Sequence, residues 1–115
     1  MNPMVTIMLL ALGLLLSATG GARADEIPVI EVTLNDGVVT PQQIAVEAGK
    51  PFKLAISNIG NAADEFESLR LYKEKVLAPG AESVLVFRKL SPATNPFYDE
   101  FHMSLDRANG TITAL

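Results

Sequence analysis

Two short segments concentrate side chains that could bind a metal ion, Glu65-Phe66-Glu67 and Glu100-Phe101-His102. In each, a phenylalanine is flanked by two residues with donor atoms. On a strand, residues two apart share a face, so Glu65 and Glu67 are expected to point one way and Phe66 the other, with Glu100 and His102 repeating the arrangement around Phe101. If the two strands are neighbours in one sheet, three carboxylates and one imidazole meet while both rings enter the core. Like charges facing each other across a strand pair repel, and such a cluster implies a compensating cation. Three hard oxygen donors with one imidazole suit Fe²⁺, Mn²⁺, Zn²⁺ or Cu²⁺, and donor type alone does not choose among them. Met103 could add a thioether that favours copper, and Asp99 could join if its strand ends before His102. The same alternation also describes an ordinary exposed strand face, with Arg70, Lys73 and Lys75 as solvated ion-pair partners and Met103 as a packing residue.

Other chemistries find less support. The chain has no cysteine, which removes disulfides, thiolate metal sites and cysteine nucleophiles together. Its serines sit in no nucleophile elbow, and no glycine-rich phosphate loop follows a strand and opens a helix. Thirteen acidic residues against nine basic ones, a formal net charge of −4, argue against nucleic acid or anionic lipid as a partner.

The elements that must position these residues read as strands. Val29 to Leu34 is β-branched and ends at the turn signal Asn35-Asp36-Gly37. Ile44 to Glu47, then Phe52 to Ser57 with clean alternation, follow. Glu65 to Leu71 and Lys73 to Leu77 read as weaker extended segments, and Ser83 to Arg88 as a strong one. Pro92 and Pro96 are expected to bracket a loop before Phe97 to His102, and Thr111 to Leu115 makes the final strand after Asn109-Gly110. Seven or so short strands separated by turns predict an all-β sandwich.

The order of these features resembles the cupredoxins. Val39-Thr40-Pro41-Gln42-Gln43-Ile44-Ala45-Val46 leading to Ala48-Gly49, then Asn58-Ile59-Gly60 and later Ala78-Pro79-Gly80, are similar to the successive strands and turns of that Greek-key β-sandwich. Tyr98 through His102 occupies the place of the copper-binding loop. The resemblance implies that the strands holding the two metal-ligand segments are neighbours, with Glu65, Glu67, Glu100 and His102 as ligands and Asp99 and Met103 as further candidates. It also implies that Asp64 stands where the first histidine of a blue-copper site belongs, Asp99 where the cysteine belongs, and His102 at the second histidine, with the axial methionine position near Arg107. A blue-copper centre needs the short copper–thiolate bond, so an ordinary electron-transfer copper site is excluded. Glu65-Phe66-Glu67-Ser68, Lys73 to Gly80 and Glu100-Phe101-His102 resemble the cupredoxin-like periplasmic proteins of bacterial ferrous-iron uptake, including the cupredoxin domain of Efe-type proteins. That resemblance implies binding of copper or iron beside an inner-membrane iron permease or a periplasmic iron-binding protein. The alternative is a metal-free sandwich that docks onto a transporter or other periplasmic partner.

Export is expected from the chain's first residues. Met4 to Leu16 is an apolar run too short to span a bilayer comfortably, and Ala22-Arg23-Ala24 supplies a cleavage site. The reading is a signal peptide over residues 1–24, one domain over residues 25–115, and a periplasmic location.

Overall fold

The computed structural model describes residues 26–115, so the expected leader over residues 1–24 lies outside the described residues. Among them run β1 (Val29–Asn35), β2 (Val38–Thr40), β3 (Gln43–Val46), β4 (Phe52–Asn58), β5 (Asp64–Ser68), β6 (Lys73–Leu77), β7 (Glu82–Phe87), β8 (Ala93–Asp99) and β9 (Asn109–Ala114). Short 3₁₀ turns at Glu100–His102 and Asp106–Ala108 join the last two strands. The strands form two sheets, one in the order β2-β1-β4-β7 and the other β3-β9-β8-β5-β6. Two pairings are parallel, β1 with β4 and β3 with β9; the rest are antiparallel.

Three features depart from the sequence reading. β2 is an additional strand, held to β1 by a two-residue turn in which Asp36 (φ 48°) and Gly37 (φ 90°) both take the left-handed conformation that twists a tight hairpin correctly. The loop expected between Pro92 and Pro96 is instead the first half of β8, with Pro96 in register with Thr111 of β9. Proline is tolerated there because β5 pairs with β8 only at its far end, and the Pro96 carbonyl takes its hydrogen bond from the Ser68 hydroxyl at 2.8 Å. Finally, β5 stops at Ser68 and β8 at Asp99, so Leu69 to Leu71 and Glu100 to His102 are not strand.

The two inner faces enclose a core of Val32, Leu34, Ile44, Leu54, Ile56, Leu77 and Ile112, with four phenylalanines in two stacks. Phe52 of β4 stacks on Phe87 of β7 with ring centroids 4.7 Å apart, and Phe66 of β5 on Phe97 of β8 at 5.2 Å. Such pairs contribute about 0.5–1.5 kcal/mol beyond their burial. The second stack clamps β5 to β8, the two strands that carry the candidate ligands.

Gly110 permits this clamp. It lies opposite Phe97, and a Cβ at that position would fall 2.6 Å from the Phe97 ring and 2.5 Å from the Gln42 carbonyl oxygen. Neither neighbour can yield, one being backbone and the other a stacked ring. Gly110→Ala is therefore expected to destabilise the fold by roughly 1–3 kcal/mol, the usual cost of overpacking. Thermal unfolding followed by circular dichroism checks this; a midpoint equal to that of the native sequence would show that the contact is not tight.

Candidate metal centre

The register of β5 on β8 sets Phe66 opposite Asp99 and Glu67 opposite Tyr98. With side chains alternating along each strand, Asp64, Phe66 and Ser68 of β5 and Asn95, Phe97 and Asp99 of β8 share the inner face. All six are buried. Glu65, Glu67 and Tyr98 share the outer face.

At Asp99 the strand ends and the carboxylate becomes a cap. Its Oδ1 accepts from the Glu65 amide at 3.0 Å and from the Phe101 amide at 3.2 Å, opening the 3₁₀ turn Glu100–His102. The tighter turn breaks the two-residue period, so Glu100 and His102 do not share a face as a continued strand would have placed them. His102 comes back over the buried end of the core, its Nδ1 2.8 Å from Asp99 Oδ2 and 3.1 Å from Asp64 Oδ1. Ligand atoms of Asp64, Asp99 and His102 all lie within 4.8 Å of one another. The β1–β2 turn supports this end of the sandwich. Gly37 lies against His102, with a Cβ there predicted 3.0 Å from the His102 Cβ, and Asp36 Oδ1 accepts from the Asn61 and Ala62 amides at 2.9 Å each.

The buried polar residues differ in how well they are satisfied. Asn58 donates to the Ala62 and Leu77 carbonyls and accepts from the Gly60 amide; Asn95 donates to the Ile112 carbonyl and accepts from Arg70; Ser68 donates to the Pro96 carbonyl. Asp64 is fully buried, and neither of its carboxylate oxygens has a hydrogen-bond partner. The nearby His102 Nδ1 carries at most one proton, and its shorter contact is to Asp99. A buried carboxyl left without a donor costs several kcal/mol if ionised, and native proteins rarely leave one so.

The electrostatics follow from that geometry. Burial, reinforced by the negatively charged Asp99 carboxylate beside it, pushes the Asp64 carboxyl up to about 7. Burial also acts on Asp99, but the adjoining Asp64 carboxyl and the hydrogen bonds from the Glu65 amide and from His102 outweigh it and hold Asp99 below the usual carboxylate range. The hydrogen bond to Asp99 and the charges of Asp99, Asp64 and Asp36 raise His102 against the opposing effect of burial.

The residues singled out in the sequence are thus divided between two faces. Glu65 and Glu67 come together on the outer face, joined by Glu74 of β6, with ligand atoms of all three within 4.8 Å. Glu100 lies beside Glu67. His102 and Asp99 are on the inner side with Asp64, while Met103 is half exposed beyond the turn. Asp64 and Glu74 are the two residues outside the sequence-derived ligand set. Asp64 was discernible as the inward neighbour of Phe66, two residues away. Glu74 required the hairpin register that sets it opposite Glu67. Of the expected ion-pair partners, Arg70 donates to Asn95 and Lys73 lies over the Phe87 ring, 5.3 Å from its centroid.

Comparisons with known proteins agree with this architecture. A family described as the cupredoxin-like domain matches residues 6–114. A protein of Rickettsia prowazekii (strain Madrid E) described as uncharacterized is 27% identical over 111 residues, covering 95% of this chain and 87% of its own. Among solved structures, reduced auracyanin from Roseiflexus castenholzii superposes with a TM-score of 0.64 at 16% identity, covering 76% of this chain and 96% of that one. The metal-binding domain of the Cu(I)-exporting P-type ATPase of Streptococcus pneumoniae D39, solved with Cu(I), gives 0.66 at 17% identity over 79% of this chain and 88% of that one. A purple cupredoxin from Nitrosopumilus maritimus gives 0.56 at 13% identity over 75% and 99%.

The unsatisfied carboxyl makes a measurable cost. Asp64 titrates near its ordinary value in the unfolded chain and near 7 in the fold, so its contribution falls as pH rises from about 4 to 7 and is then constant. His102, raised in the fold, also loses its contribution as pH rises, whereas Asp99, lowered in the fold, contributes above the ordinary carboxylate range. Asp64→Asn in chelator-treated protein is expected to gain roughly 1–3 kcal/mol at pH 8, with the gain shrinking towards pH 4. Thermal midpoints across that range test it, and a variant less stable than the native sequence at pH 8 would contradict it.

Proposed function

Since the chain belongs to the cupredoxin-like domain family, we propose that it binds copper or iron through Asp64, Asp99 and His102, as a periplasmic accessory protein of iron uptake. One observation carries the metal assignment: the buried, unpartnered carboxylate of Asp64 directed at a second carboxylate and an imidazole. A cation is the partner that such an oxygen lacks. With the protons of Asp64 and His102 removed, the two carboxylates neutralise one divalent ion, and the donor set suits Cu²⁺ or Fe²⁺. It does not suit a blue-copper centre, because no thiolate exists in the chain. Cu(I) in the streptococcal relative supports copper as an occupant of this fold. The assignment to iron uptake and to the periplasm draws on the Glu65 to Ser68, Lys73 to Gly80 and Glu100 to His102 segments and on the leader-like start of the sequence.

Each residue has a distinct task in this reading. Asp99 is fixed by two backbone amides and so supplies a rigid oxygen. Asp64 supplies an oxygen that nothing else in the core uses. His102, one-quarter exposed in its side chain, forms the rim through which an ion enters and leaves. A bound copper or iron ion would supply one-electron chemistry, while the sandwich keeps the two carboxylates away from water.

A second reading has its own support. Ile59, Phe101, Met103 and Leu105 are exposed apolar side chains in the loops at the end of the sandwich that carries His102. Such a collar fits docking onto a permease or periplasmic partner, with or without a metal.

Calorimetric titration of chelator-stripped protein with Cu²⁺, and anaerobically with Fe²⁺, is expected to show about one tight equivalent for at least one of the two. His102→Ala and Asp64→Asn should each weaken it at least tenfold, and the copper form should lack the intense visible band of a copper–thiolate bond. Folded protein that binds neither ion would reject the metal reading in favour of docking.

A further inference from the structure

Among the described residues the two sheets end in four edge strands, β2, β7, β3 and β6. Three of them are blunted against the addition of another strand. β2 has only three residues and β3 four, while β6 carries Lys73, Glu74 and Lys75 in succession. β7 has neither device. It runs for six residues, Glu82 to Phe87, without lysine or proline, and presents Val84 and Val86 at 57% and 50% exposure. An apolar edge of that length is a template for a further strand.

The backbone of β7 is set to receive one. The Asn58 amide donates to the Ala81 carbonyl, and the Lys53 amide donates away from β7, to the Pro28 carbonyl. Successive residues of a strand turn their polar groups to alternate sides, so Ser83, Leu85 and Phe87 bond to β4 while the amides and carbonyls of Glu82, Val84 and Val86 point to the open edge. The charges at the two ends of the strand are opposite. Glu82 begins β7 and Arg88 follows its last residue, both exposed and equally far from Leu85 along the chain. Neither forms an ion pair among the described residues.

We propose that the free edge of β7 pairs with the same edge of a second copy of this chain, antiparallel about a two-fold axis at Leu85. In that register Val84 stands opposite Val86 of the partner subunit, so that the outward amides and carbonyls of both strands meet, and Glu82 stands opposite the partner's Arg88. Paired β-branched side chains and opposite charges across the strands both stabilise such a ladder. The neighbouring registers that keep the backbone in phase lose the charge match. Centring on Val84 sets Glu82 against the partner's Val86, and centring on Val86 sets Arg88 against the partner's Val84. The contact uses one patch on both copies, so it closes at two and removes the unprotected edge of each. It is independent of metal at the Asp64, Asp99 and His102 centre.

Sedimentation equilibrium of the chelator-treated protein over a range of concentrations is expected to show a monomer–dimer equilibrium. Val84→Lys, Glu82→Arg and Arg88→Glu, all at exposed positions that leave the core intact, should each weaken the dimer at least tenfold. The double variant Glu82→Arg/Arg88→Glu exchanges the two charges and should restore the affinity to within threefold of the native sequence. Amide hydrogen exchange at Val84 and Val86 should slow as the dimer forms, while that of Leu85, already bonded to β4, should change least. Native protein that stays monomeric throughout overturns the proposal. So does a dimer that Val84→Lys leaves intact, that the double charge exchange fails to restore, or that is lost instead in Phe101→Ser, since the contact would then lie in another register or at the loops around His102.

Discussion

The pairing of β5 with β8 is short, and the arrangement of the functional end depends on it. Only two residue pairs define the register, with the Phe66–Phe97 stack beneath them as a clamp. That register decides that Asp64 and Asp99 lie on the core side and that Glu65 and Glu67 do not. A slip of one residue would exchange the faces and send both aspartates into solvent. The clamp in turn needs the missing side chain of Gly110, so a glycine on β9 helps hold the ligands of β5 and β8 in place.

β5 is thereby loaded with negative charge on both faces, an arrangement that favours neither strand pairing nor burial. Asp64 and Glu65 are adjacent in the chain, and each is buried against other carboxylates, Asp64 beside Asp99 and Glu65 beside Glu74. Burial is the largest influence raising both, to about 7 in each case. The Glu65 amide donates to Asp99, so one residue belongs to the inner centre through its backbone and to the outer cluster through its side chain. Strain in one cluster is therefore mechanically continuous with the other.

Much of this was legible in the sequence, and the rest was not for identifiable reasons. Alternation in Phe52 to Ser57, and the turn residues Asp36 and Gly37, gave a strand and a turn directly because both are local signals, whereas the short β2 beyond that turn was not read. The cupredoxin resemblance carried the adjacency of β5 and β8, which no local pattern contains. Pro96 misled because its missing donor suggests a loop, whereas the absence of a β5 partner at that point leaves room for it within a strand. For the ligands, donor types were readable but the division between faces was not. It turns on the Asp99 carboxylate capping a 3₁₀ turn, a contact between side chain and backbone that reverses the direction of His102. Glu74 was hidden for a different reason: only the register of the hairpin makes it the neighbour of Glu67.

β9 is the last strand in chain order, yet it lies between β3 and β8 in its sheet. Among the described residues β3 has no other strand partner, and its parallel pairing joins Gln43 to Thr111 across most of the described chain. The sandwich therefore cannot close progressively as the polypeptide lengthens; β3 waits with an unpaired edge until β9 has been made. Contacts so distant in sequence also form slowly. A nascent chain of this topology keeps that edge open until its last strand has been made, an interval in which it is vulnerable to aggregation.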